Sequence, residues 1–294
     1  MSWTLHSFTD AIIMPKLLND IILRIISDYF WDDQATLRTT SLVCHSTRAL
    51  SQRLLFHSIV LVAGTGDADC IYMRRLEAMS QAPATILSYV RAFGFSNGMK
   101  RRRPEERYAW FQSYGALLNT TLRRLALEGK LEALSIDSII GLQGGIVYDL
   151  ETISLFKKLC CLPTIDTLAL TAAPGEMLQQ PFRPALRHLI ARNIQDIQAP
   201  TLLSETDTSH QAVLDTFGFY PYHSDYPGRQ TMVDFLLGES NTVLDLSSLK
   251  SLTAYCIIDH HYDQVARLLG TCRLKLEALD LKIACEYWIS PTSP

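Results

Sequence analysis

The sequence predicts a mixed α/β protein, with a short helical module followed by a longer solenoid of parallel strands and outer helices. Three observations carry that expectation. Segments of the form Leu-x-x-Leu-x-Leu recur along the chain: "LRRLAL" at 122, "LEALSI" at 131, "IDTLAL" at 165, "LRHLIA" at 186, "LKSLTA" at 249 and "LEALDL" at 276. Between them lie stretches with apolar residues at helical spacing. The first sixty residues instead carry a helical stripe and reach β-branched residues only at "HSIVLV".

From the N-terminus, Pro15 suits a first helical turn. Apolar residues follow at 17, 18, 21, 22, 25, 26 and 29, the stripe of an amphipathic helix. Lys16, Asn19, Asp20, Arg24 and Asp28 take the other side. Asp32 or Asp33 caps a second helix, with Leu37, Thr40, Ser41, Val43 and Cys44 on or beside one packing face. A third helix covers about 46–56 with Leu50, Leu54 and Leu55 inward, and "HSIVLV" predicts a strand. Such a small module buries too little apolar area to be stable alone, so it is expected to dock on a partner or on the domain behind it.

The run "MPKLLNDIILRIISDYFWDDQATLRTTSLVCHSTRALSQRLLFHSIVL" resembles an F-box of the version common in fungal proteins. The matching positions are Met14-Pro15, Leu37-Arg38, Ser41-Leu42-Val43-Cys44 and Leu55-Phe56, within about the first fifth of the chain. It departs from that pattern at Met14, where Leu is usual, at Leu17, where an acidic residue is common, and at Thr47, where Trp is common. The resemblance implies a partner, the Skp-type adaptor of a cullin-RING ubiquitin ligase. It implies adaptor contacts from Pro15, Leu17, Leu18, Ile21 and Ile22 of the first helix and from Leu37, Ser41, Leu42 and Val43 of the second. That is the helix-in-groove mode of recognition.

Downstream, "DADCIYMRRLEAMSQ" predicts a helix capped by Asp67 or Asp69, and "PEERYAWFQSYGALL" one opened by Pro104, Glu105 and Glu106. "DLETISLFKKLCCLP" ends with Lys157, Lys158 and Pro163, a helix stop. "RQTMVDFLLG" and "YDQVARLLGTC" complete the set. Units that cannot bury their own apolar face must stack on neighbours. The units vary in length, and the pattern resembles a degenerate leucine-rich repeat array. The runner-up architecture is a closed or doubly wound α/β domain. Residues 198–228 interrupt the rhythm with prolines and a cluster of Phe217, Phe219, Tyr220, Tyr222 and Tyr226, and read as a loop. The chain stops at "LDLKIACEYWISPTSP" without an obvious capping repeat, which leaves a short array or a truncated gene model open. The expected organisation is a tail over 1–12, an F-box-like domain over 13–60 and a repeat-type substrate-recognition domain over 61–294.

Candidate chemistry is sparse. "GFSNG" matches the nucleophile-elbow pattern around Ser96, but the required helix does not follow at once. Gly64 and Gly66 lack the third glycine of a dinucleotide fingerprint and read as a turn. Lys100 to Arg103 form the densest basic run, a solvated loop beside Glu105 and Glu106. Cys160-Cys161 and His260-His261 lack metal-ligand spacing. Cys256, Cys272 and Cys285 sit among apolar residues and read as core.

Seven scattered cysteines without a CxxC pair fit a reducing compartment. The N-terminus does not read as a signal peptide, and no apolar run reaches membrane-spanning length. The net charge of −3 gives no bias toward nucleic acid. A cytoplasmic or nuclear protein follows, with no cofactor, metal or catalytic residue expected. With the F-box resemblance, this reads as a substrate-recognition subunit of a Skp-cullin-F-box ligase. Two alternatives stand beside it: a repeat scaffold without ligase association, and a serine hydrolase around Ser96.

Overall fold

The computed structural model describes residues 20–283, apart from 23, 27, 30–32, 44, 64–66, 98–103, 138–148, 181, 195–210, 221–230, 239–243, 257–258 and 273. Residues 20–22, 24–26 and 28–29 are helical, and the wide apolar stripe divides there into two ridges. Ile22 and Ile26 turn inward, while Ile21, Ile25 and Tyr29 face solvent. Two helices follow, α1 (Gln34–Val43) and α2 (His45–Leu55). Asp33 caps α1 by accepting the Thr36 backbone N–H at 3.0 Å. The α1–α2 contact is polar at its centre. The hydroxyls of Thr40 and Ser51 lie 2.9 Å apart, and Thr47 Oγ1 donates to the Thr40 carbonyl at 2.8 Å. Thr47, a departure from the F-box pattern, is therefore buried and hydrogen-bonded. Val43 was expected on a packing face, but at 71% exposed it points to solvent.

The main body is a parallel eight-stranded sheet. Its strands are β1 (Ser58–Ala63), β2 (Ala92–Asn97), β3 (Ala133–Asp137), β4 (Thr167–Thr171), β5 (His188–Arg192), β7 (Thr216–Tyr220), β9 (Ser251–Cys256) and β10 (Ala278–Ile283). Two short strands, β6 (Ala212–Val213) and β8 (Leu244–Asp245), pair in parallel separately. The sheet order is β1-β2-β3-β4-β5-β7-β9-β10. It never reverses, and a crossover hand kept constant along such an order places the connecting helices on one face. A doubly wound sheet needs a reversal, and a barrel needs β1 paired with β10. The runner-up architecture is excluded on both counts.

The connections carry α3 (Asp67–Gln81), α4 (Ala84–Leu87), α5 (Pro104–Glu128), α6 (Leu150–Cys160), α7 (Met232–Leu237) and α8 (Asp259–Cys272). Outer helices are not universal, since among the described residues between β4 and β5 the helical piece is a 3-10 turn, Gly175–Met177. One core joins the helices to one sheet face. Phe93, Phe95, Leu134, Leu168, Leu189, Phe217 and Leu252 from strands meet Leu76, Leu122, Phe156 and Leu268 from helices.

A backbone step repeats at each strand entrance. The N–H groups of Arg91 and Ala92 both donate to the His57 carbonyl. Glu132 and Ala133 donate to Arg91, and Asp166 and Thr167 donate to Glu132. The same step continues through Arg187, Asp215, Lys250 and Glu277. Each acceptor follows a largely buried apolar residue, so every unit reads apolar, polar or charged, any, apolar, any, apolar. The column mixes signs, and Arg91–Glu132 at 3.5 Å and Lys250–Asp215 at 3.0 Å are ion pairs. The Lys250 ammonium hydrogen-bonded to Asp215 holds that carboxyl below its ordinary range.

Two sequence expectations fail here. "LRRLAL" is not a strand but the last turns of α5, where Leu118, Leu122 and Leu125 bury at helical spacing. The helix stops at Gly129, where a Cβ would meet the Leu125 carbonyl oxygen at 2.4 Å. Residues 198–228 are not simply a loop either. They contain β6 and β7, and Phe217 and Phe219 are core residues rather than loop anchors. Tyr222 and Tyr226 lie outside the described residues.

Candidate functional site

Side chains alternate across a strand, so the face away from the helices is set by register. At the strand ends it carries the row Val62, Ser96, Asp137, Thr171, Arg192, matched pairwise from β1 to β5. The register continues from Arg192 to Tyr220, and from Tyr255 to Lys282. The middle row is Val60, Gly94, Ser135, Ala169, Ile190, Gly218, Thr253 and Asp280. Its residues are small except at Val60 and Ile190, which lean over the neighbouring glycines. A Cβ on Gly218 would stand 3.2 Å from Ile190 Cγ1, and one on Gly94 3.2 Å from Val60 Cγ2. The result is a shallow floor bordered by a polar and aromatic rim.

Local contacts organise that rim. Ser96 Oγ donates to Asp137 Oδ2 at 2.8 Å. At the opposite edge of the floor, where the strands begin, His188 Nδ1 and Thr216 Oγ1 lie 2.8 Å apart. The Arg192 guanidinium carbon stands 4.1 Å from the Tyr220 ring centroid. Tyr220 and Tyr255 stack at 6.0 Å with 25° between their planes. Lys282 Nζ pairs with Asp280 at 3.5 Å. Arg192, Asp137 and Tyr255 were not singled out by sequence. The signal that finds them is alignment of the units on the polar residue, because each rim residue lies five positions later. Two neighbouring units also share a left-handed residue just past the rim, Ala172 (φ 47°) and Asn193 (φ 51°). Their N–H groups donate to the Arg192 and Tyr220 carbonyls.

The helical module presents a second surface. Leu42 is 79% exposed, beside Val43 on α1, and Ile21 is 49% exposed. Ile22 and Ser41 are half-buried, and Leu37, 1% exposed, packs inside the module. Pro15, Leu17 and Leu18 lie outside the described residues.

The remaining candidates place as follows. Ser96 sits within β2, laddered between Val62 and Asp137, rather than at a strand-to-helix turn. Burial pushes the Cys160 and Cys256 thiols up, away from the reactive thiolate. Among the described residues no cluster of three or more His, Cys, Asp or Glu could hold a metal ion. Among them, too, no helix is long and apolar enough to cross a membrane. Gly64, Gly66, Lys100 to Arg103 and Cys285 lie outside the described residues. No family model, no curated protein and no solved structure matches the chain.

Proposed function

We propose that the chain is a substrate-recognition subunit of a Skp-cullin-F-box type ubiquitin ligase. Its N-terminal helices dock on the Skp-type adaptor, and its sheet, a degenerate leucine-rich-repeat-like array, holds a target protein on the open face. The subunit performs no bond chemistry of its own. It raises the local concentration of target lysines at the conjugating enzyme, a proximity effect.

The observation that carries this reading is the double apolar face of the first helix. Ile22 and Ile26 serve the fold, whereas Ile21, Ile25 and Tyr29 remain turned to water. Leu42 and Val43 add exposed apolar surface on α1. Several apolar side chains turned outward on one small module are the kind of surface that a partner's groove buries. Leu37 then supports the surface from beneath. The unreversed strand order and the repeated backbone step support the array half of the reading.

The test is co-purification of the full chain with a Skp-type adaptor. Wild type is expected to retain the adaptor, and Ile21→Asp and Leu42→Asp are expected to lose it with melting unchanged. A folded chain that ignores the adaptor leaves the scaffold reading in its place.

A further inference from the structure

The rim of the open face has a specific chemistry between β5 and β9. The Arg192 guanidinium stacks over the Tyr220 ring, a contact that engages its face and not its N–H edges, and the residue is exposed. Arg192 forms no ion pair with any described residue. Neighbouring charges are already engaged, Lys282 with Asp280 and Asp137 with the Ser96 hydroxyl. The strip thus combines one available cation with two stacked amphipathic rings.

We propose that Arg192, Tyr220 and Tyr255 anchor an extended segment of the target protein. That segment carries a carboxylate for Arg192 and, two residues away, an aromatic or large apolar side chain for the tyrosine stack. The spacing follows from the geometry. Neighbouring strands lie about 4.8 Å apart, so the middle of the Tyr220–Tyr255 pair stands about 7 Å from Arg192. An extended peptide shows every second side chain on one side, about 6.7 Å apart. A guanidinium–carboxylate pair fixes one end, and ring stacking with apolar burial fixes the other. Among the described residues the strip offers a single available cation, where a phosphate backbone needs several in a row, which favours a peptide. The inference rests on the target-binding half of the proposed function and is independent of the adaptor half.

Fluorescein-labelled nonapeptides with Gly-Ser flanks and a central Glu-Gly-Phe, Lys-Gly-Phe or Glu-Gly-Ser test it by anisotropy against the full chain. A short oligothymidine serves as the nucleic-acid arm. Glu-Gly-Phe is expected to bind about tenfold tighter than either other peptide. Arg192→Glu is expected to turn the preference toward Lys-Gly-Phe, and Arg192→Lys to keep the original order. Tyr255→Ala is expected to erase the difference between Phe and Ser. Equal binding of all three peptides, an unchanged ranking in Arg192→Glu, or tightest binding of the oligonucleotide overturns the proposal. Peptide binding in a chain that ignores the adaptor supports the strip and counts against the ligase reading alone.

Discussion

Phe217→Ala distinguishes a buried strand from an aromatic loop in the region where sequence rhythm is lost. Phe217 is 1% exposed, and its ring centroid lies 6.4 Å from that of Phe219. Removing a buried phenyl group leaves a cavity and loses its transfer energy, about 3–5 kcal/mol. For a domain of this size each kcal/mol shifts the melting temperature by about 2–4 °C, giving a loss of about 6–20 °C. Tyr220, three residues on and facing the open side, is the internal control. Its ring contributes a stack on Tyr255 and a platform for Arg192, so Tyr220→Ala should cost only about 1–2 kcal/mol. Urea unfolding followed by circular dichroism measures both. If β7 were a surface loop, both variants would cost little and about equally. A Phe217→Ala cost no greater than that of Tyr220→Ala refutes the assignment of β7 to the core.

Other perturbations probe separate parts of the account. Ala172 adopts φ 47°, a region costing a non-glycine residue about 1–2 kcal/mol. Ala172→Gly should therefore raise the urea midpoint slightly and Ala172→Val lower it. Arg124 ties α5 to α3 by donating to the Ser80 carbonyl at 2.8 Å and the Ala82 carbonyl at 2.6 Å. Arg124→Ala should cost about 1.5–3 kcal/mol in the same assay, discounted toward the lower end by partial exposure. Burial pushes the Asp234 carboxyl up, but hydrogen bonds from Arg267 and Thr231 outweigh it and hold it below its ordinary 3.8. A depressed folded value means its contribution is present above pH 3.8 and is lost as pH falls below it. Melting across that range should show acid destabilisation, and Asp234→Asn should flatten the curve.

The helix–strand alternation and most strand positions were legible because Leu marks the buried positions in "LEALSI", "IDTLAL" and "LKSLTA", and the same spacing in "LEALDL" forms β10 although Leu279 and Leu281 stay exposed there. "VRAFGF" and "LDTFGF" obey the same rule with Phe in place of Leu. A search for Leu alone passes over "LDTFGF" and counts its aromatics as loop anchors. "LRRLAL" makes the opposite error, because a Leu-rich helix end and a strand unit share spacing over six residues. Only the continuous periodicity from Leu118 decides between them. The rim was illegible for a different reason. Ser96, Asp137, Arg192, Tyr220 and Tyr255 have no common chemistry along the chain, and they become one feature only through strand register. In the helical module the stripe was legible, but its division into an inner and an outer ridge required the packing of Ile22 and Ile26.

The central claim is that the exposed apolar residues of the helical module bind a Skp-type adaptor. Titration calorimetry of the full chain with the purified adaptor tests it directly, using wild type beside the Leu42→Asp/Val43→Asp double variant. Both positions are more than two-thirds solvent-facing, at 79% and 71%, so the variant should fold and melt as wild type does. The account predicts one-to-one binding by wild type and at least about a tenfold loss, 1.4 kcal/mol or more, in the variant. No heat of binding from the folded wild type, or equal affinity in both proteins, contradicts it.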